Sequence, residues 1–270
     1  MFRSSRKKRL NRLPFVWKQM KIQFRMRSLT AFSFTLLFAQ PVFFSAVGYF
    51  LARAAGRSTP DLIYTIVGSG VMGVWSTVLF TSFFDIRADR REGVLELIIG
   101  SPTSLFAILS IRTFTNLLTG TISLMLSLIA VTFIFHFSLP GQNFVIILVS
   151  TVILLFSFWC IGVFLVHWQA VSRLSGLFIN YLEMPVIILA GFMFPSRLLP
   201  DWARWFSGIL PMSWAFDGLN VSLRPSVDWE SLWTNWLMAL GMSGIFLIVT
   251  MLMSKRVHDM IRVTGEISSA

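Results

Sequence analysis

Cysteine is almost missing: Cys160 is the single one in 270 residues and lies inside an apolar run, which excludes a disulfide framework and a Cys-based metal site. Charge is scarce too. With 13% charged residues against the roughly 25% typical of soluble domains, and 55% hydrophobic, the chain cannot coat itself for water, so its main solvent is lipid. Acidic residues are fewer still, 12 against 23 basic. The basic excess does not point to nucleic acid, because it gathers at the N-terminus and in short segments between apolar runs, where it orients a membrane protein. His136, His167 and His258 are scattered, with no H-E-x-x-H or Cys/His ligand spacing, so no metal site is expected and each reads as an interfacial or packed histidine. A G-x-x-x-x-G-K-[ST] phosphate loop is absent, and no polar segment is long enough for a nucleotide-binding domain. The chain is therefore not expected to be an enzyme or to hold a cofactor. Gly68-Ser69-Gly70 superficially suggests a serine nucleophile, but small residues inside a membrane helix are packing positions.

What is abundant is long apolar sequence. A helix rises about 1.5 Å per residue, so a bilayer core of about 30 Å takes around 20 apolar residues. Six runs qualify: Leu29–Leu51, Leu62–Phe84, Thr113–Phe137, Phe144–Val166, Leu174–Phe194 and Leu232–Met253. The expected fold is an all-α polytopic membrane protein with six transmembrane helices over 29–253, preceded by a basic segment 1–28 and followed by a tail 254–270. With the N-terminus inside, 18 of the 23 Lys and Arg face the cytoplasm, and only Arg53, Arg57, Arg197, Arg204 and Arg224 lie outside. That asymmetry predicts cytoplasmic termini in the cytoplasmic membrane. Residues 1–28 lack a separate apolar region and cleavage site, so they are expected to stay in the mature protein. Leu13, Val16, Trp17, Met20 and Phe24 recur at helical spacing there, which predicts an amphipathic interfacial helix; a basic flank that merely sets topology is the alternative.

Three features could carry function. The internal segment 85–104 has the densest mixed charge in the chain, and as a helix it would align Asp85, Asp89, Glu92 and Glu96 on one face, away from Arg87, Arg90 and Arg91. Gly93 costs about 1 kcal/mol in a helix relative to Ala and marks a break or a close backbone approach; Gly100 and Pro102 supply a stop. A solvated loop and a docking element for a cytoplasmic partner both fit, and the apolar Val94, Leu95, Ile98 and Ile99 favour docking. The second feature is 195–211, punctuated by Pro195, Pro200 and Pro211, too interrupted to cross a bilayer and expected to dip into the outer leaflet. Trp202, Trp205, Trp214, Trp229, Trp233 and Trp236 collect at that side as an interfacial belt. The third is Glu183, the one formal charge deep inside a run. A charge at mid-bilayer costs on the order of 3 kcal/mol, so Glu183 faces a cavity or a subunit seam, or else hydrogen-bonds a neighbouring helix near the Pro185 kink.

The order of these parts resembles the ABC-2 family of transporter permeases over nearly the whole chain. The residues that carry the resemblance are Asp89-Arg-Arg-Glu-Gly-Val-Leu-Glu96 with Ser101-Pro102, then Gly191-Phe-Met-Phe-Pro195 with Pro200, Trp202 and Pro211. Val94 stands where the family pattern has Thr. The resemblance implies an exporter of two permeases, a homodimer or heterodimer, and two ABC ATPase subunits that hold ATP and Mg. In that arrangement Asp89, Arg90, Arg91, Glu92, Gly93, Leu95 and Glu96 form a coupling helix, and Gly191, Pro195, Pro200, Trp202 and Pro211 belong to a re-entrant exit element. Substrates of the family include drugs, antibiotics, lipids and polysaccharides, and the apolar spans favour a hydrophobic or amphipathic molecule. A permease for polysaccharide or lipid-linked glycan, a secondary transporter or channel working through Glu183, and a membrane assembly factor remain as alternatives.

Overall fold

The computed structural model describes residues 59–99, 104–135, 144–171, 177–193 and 195–264, with isolated positions between 42 and 54. The predicted amphipathic helix of 1–28 lies outside the described residues, and the first predicted span lies mostly outside them. The described regular structure is helical: α1 Thr59–Arg91, α2 Val94–Ile99, α3 Leu105–Phe135, α4 Phe144–Val171, α5 Leu177–Leu189, a 3-10 turn Ser196–Leu198, α6 Asp201–Ile209, α7 Pro211–Ser222 and α8 Trp229–Thr264. Among the described residues, four segments are long and apolar enough to span a membrane: Ile63–Arg91, Leu105–Ile122, Phe144–Ala170 and Trp229–Arg256. They overlap the predicted second, third, fourth and sixth runs, the third only over Thr113–Ile122. Of the predicted fifth, the helix described is the shorter α5, with Pro185 inside it.

The helices overrun their apolar stretches at the charged ends. At 33 residues α1 is about 50 Å long, well beyond a 30 Å hydrocarbon core, so Asp85–Arg91 is its last two turns rather than a loop. It stops at Gly93, whose φ of 68° is the left-handed geometry that closes a helix end. The continuous acidic stripe expected from the sequence therefore does not form: Asp85 and Asp89 lie on α1, Glu92 in the turn, and Glu96 on the separate α2. Ser104 opens α3, its Oγ accepting from the backbone N–H of Ala107 at 3.3 Å.

α1 sits at the centre of the bundle. It is rich in small and hydroxylic residues and packs against α3, α4 and α5, with Ile66, Val71, Trp75 and Val78 fully buried. A run of ring contacts joins it to its neighbours: Trp75 to Phe158 of α4 at 6.2 Å, Phe158 to Phe192 at 5.8 Å, Phe192 to Phe216 of α7 at 5.2 Å, and Phe216 back to Tyr64 of α1 at 5.2 Å. The outer faces are apolar as well. Phe114, Leu118, Ile122, Met125 and Ile129 line one side of α3, and Leu237, Ile245, Ile248 and Leu252 lie on the outside of α8, as lipid-facing helices require.

Most hydroxyls in the spans are satisfied within their own helix. Thr113, Thr115, Thr119, Thr151, Ser157 and Thr250 each donate to the carbonyl four residues back, at 2.7 to 3.0 Å. The polar groups that reach across between helices are the informative ones.

Candidate functional site

The first such group is the foot of α1. Asp89 pairs with Arg112 of α3, both side chains largely buried. Arg90 extends its Nη2 to the backbone oxygens of Gln169 and Ala170, at 3.2 Å each, the last carbonyls of α4. A cation there complements the negative end of the helix dipole. Gln169 returns the contact, its Nε2 donating to the Phe83 carbonyl at 3.2 Å. One turn higher, Asn116 of α3 donates to Ser82 Oγ at 2.8 Å and to Asp85 Oδ2 at 3.4 Å. Two residues singled out for partner contact, Asp89 and Arg90, are thus engaged inside the chain.

Beyond that foot the chain turns outward. Arg91, Glu92 and Gly93 are exposed, whereas Leu95 is buried with Ile86, Leu105, Leu109 and Val166, and Ile98 and Ala170 pack on that cluster. Part of the apolar set that suggested a partner surface is therefore consumed in seating α2 on its own protein. What the elbow offers is a charged tip on a fixed base. Arg112, Gln169 and Asn116 were not singled out in the sequence, although an arginine within a continuous helical stretch is itself a signal for an interior partner.

The second group joins the middle of α1 to α5. Ser76 Oγ, buried in the middle of α1, donates to Glu183 Oε1 of α5 at 2.5 Å. Glu183 is only partly buried, flanked by the exposed Tyr181, Met184 and Pro185. Its carboxylate is thus held to α1 by Ser76 on a residue that the bundle covers only in part. Glu183→Gln keeps an acceptor for Ser76 and is expected to melt within about 1 kcal/mol of the parent in detergent, whereas Glu183→Leu strands the Ser76 hydroxyl and should cost about 1–3 kcal/mol. Equal melting of the two variants would remove Ser76–Glu183 from the list of structural contacts.

The third group is 195–222. Pro195 leads into the 3-10 turn, Pro200 caps α6, and Pro211, expected to end the segment, is instead the first residue of α7. Proline suits that position because its missing N–H is not needed there and its φ is already helical. α7 is deeply buried against α4 and α8, with Met212, Ala215, Phe216 and Leu219 in the core. Helical structure thus continues past Pro211, to Ser222. In α6 the small Ala203 and Ser207 face inward, and Trp202, Trp205 and Phe206 face out. Trp229 and Trp233 are exposed as well, while Trp214 and Trp236 are partly buried and donate to Gly208 O at 2.9 Å and Ser150 Oγ at 3.1 Å. Gly191, at φ 78°, ends α5 and turns the chain toward this element; its carbonyl accepts from the Tyr64 hydroxyl of α1.

Among the described residues no cluster of His, Cys, Asp and Glu could hold a metal ion. Cys160 is buried, and His167 is buried with Nδ1 against the Val163 carbonyl at 2.7 Å. No curated protein matches the chain. The family model described as ABC-2 type transporter matches residues 15–224, a stretch that takes in the foot of α1, Glu183 and the α6–α7 element. On that match over most of its length, the chain belongs to the ABC-2 type transporter family, whose shared unit is a membrane permease domain and not itself a catalyst.

Proposed function

We propose that this chain is the permease subunit of an ATP-driven exporter, paired with a second permease and powered by ABC ATPase subunits on separate chains. The observation that carries the reading is the elbow Arg91-Glu92-Gly93. It is charged and exposed at the tip of a helix too long for the membrane, and it belongs to a chain with no phosphate loop. Families of this kind typically work with ABC ATPases. ATP and Mg would be held by those subunits. In this reading the Asp89–Glu96 stretch receives the ATPase stroke, and the α6–α7 element stands over the outer exit. The cargo is hydrophobic or amphipathic, a drug, an antibiotic or a lipid, because the spans offer few polar side chains for a glycan to grip.

Alternating access needs the ATPase to bias one permease arrangement over another. A swing from 1:99 to 99:1 takes about 5.5 kcal/mol of differential binding. Glu183, on a surface that the second permease or the pathway would cover, is the intramembrane residue whose charge transport would use. Glu183→Gln should then lower transport while keeping the stability of the parent; unchanged transport would confine Glu183 to a packing role.

The reading also requires the elbow to share a side with the ATPase, the cytoplasm, with both termini there. Membrane-impermeant thiol labelling of intact cells, on a background with Cys160 replaced, is expected to leave cysteines placed near Lys8 and Arg262 unreactive and to label one at Ser226, in the exposed turn between α7 and α8. The reverse pattern would put the elbow outside and end the coupling assignment.

A further inference from the structure

The contacts at the foot of α1 join more than two elements. Asp89–Arg112 ties α1 to α3, Arg90 and Gln169 tie α1 to α4 in both directions, and Leu95 seats α2 on a cluster drawn from α1, α3 and α4. Asn116 adds a second stitch between α1 and α3 one turn higher. A push on α2 therefore meets three helix ends held together by directional bonds. Resting on the coupling reading above, we infer that Asp89–Arg112 and Arg90 form a transmission clamp: the cytoplasmic ends of α1, α3 and α4 move as one block when α2 is displaced, and Arg112 is a positioning residue for that motion.

Three physical points support the clamp. The Asp89–Arg112 pair is mostly shielded from solvent, so it is screened less than a surface pair and holds a fixed geometry. Arg90 donates to two carbonyls in the last turn described for α4, bonds that hold only while α1 and α4 stay in register. The apolar cluster beneath α2 is close-packed and transmits displacement rather than absorbing it. An independent plunger would need the opposite: a loosely seated α2 with solvated charges on α1.

The test is a distance measurement between spin labels at Arg87→Cys on α1 and Ala107→Cys on α3, in nanodiscs. Cys160 is replaced by Ala, and the labelled copy is diluted with unlabelled chain. For the chain alone, a single sharp distance is expected; Arg112→Gln, and independently Asp89→Asn, should broaden or split it. The exchanged pair, Asp89→Arg with Arg112→Asp, should restore the single peak, a rescue that loss of packing would not give. In the complex with its ATPase, trapped by Mg-ATP and vanadate, the wild-type distance should stay unshifted. An unchanged peak in both neutralised variants, failed rescue by an exchanged pair that folds, or a wild-type distance that opens on trapping would each overturn the clamp. Failure of any ATPase to associate would instead count against the coupling reading, with the measurements on the chain alone still deciding whether the block exists.

Discussion

Gly68→Ala is expected to destabilise the protein by about 3 kcal/mol or more, although it adds a single methyl group in a helix that would otherwise welcome alanine. A Cβ at position 68 would stand 2.0 Å from the backbone oxygen of Phe192 and 3.1 Å from its carbonyl carbon. No side-chain rotation relieves that contact. The 191–192 turn would have to back away, stretching the hydrogen bond from Tyr64 to the Gly191 carbonyl and unseating Phe192, which is fully buried between Phe158 and Phe216. Overpacking of this sort costs about 1–3 kcal/mol, and a lost buried hydrogen bond adds about 1–3 more. The control is Gly244→Ala on α8, where a Cβ meets nothing within 4 Å and the helix should gain up to about 1 kcal/mol. Thermal loss of the monodisperse fraction in detergent, compared across the two variants, reads the difference. Equal melting would mean that α1 and the 191–192 turn are not in contact as described.

That contact also illustrates what the sequence could and could not disclose. Gly68-Ser69-Gly70 is legible as a small-residue packing site, but that its neighbour is a carbonyl 124 positions further on is not. The long apolar runs are legible because a helix in lipid must satisfy its own backbone and cover itself with apolar side chains, and α1, α3, α4 and α8 follow from that alone. Their ends are less so. A scan for apolar residues stops at Asp85 and at Arg112, whereas the helices continue through both, since each charge finds a partner across the bundle. α7 was hidden for a different reason. Pro211 reads as a terminator, yet at a first helical position it is an initiator, and the twelve residues it opens are moderate in polarity because they are packed in protein rather than lipid. Of the candidate site, the exposed elbow and Glu183 were legible as charges in unusual places. The partners of Glu183 and Asp89 were not: Ser76 and Arg112 lie on other helices, and pairing between helices leaves no local periodicity to read.

Reversal of the elbow's acidic charge is the second large expected effect. Glu92 projects from the turn after α1, and Glu96 follows on α2, with Arg91 alongside and Leu95 anchoring the base. The bonds of the clamp run through Asp89, Arg90, Arg112 and Gln169, and the exposed Glu92 is not among them. The two sets are therefore separable by mutation. If an ATPase groove takes the elbow, removing one member of a buried charge pair costs roughly 2–5 kcal/mol, so the double reversal Glu92→Lys with Glu96→Lys should weaken association by about 30-fold or more. A solvated elbow would show under about 1 kcal/mol, less than a tenfold change. Membrane insertion should stay at the wild-type level, because Glu92 and Glu96 lie beyond the end of α1, outside the apolar spans.

The measurement closest to the central claim is Mg-ATP turnover in three samples reconstituted into proteoliposomes: this chain alone, this chain with its co-purified ATPase, and the double reversal with the same ATPase. The account predicts background hydrolysis by the chain alone, vanadate-sensitive turnover in the wild-type complex, and loss of ATPase association or of transport per ATP in the reversed one. Robust hydrolysis by the isolated chain, or wild-type association and transport per ATP in the double reversal, would contradict it.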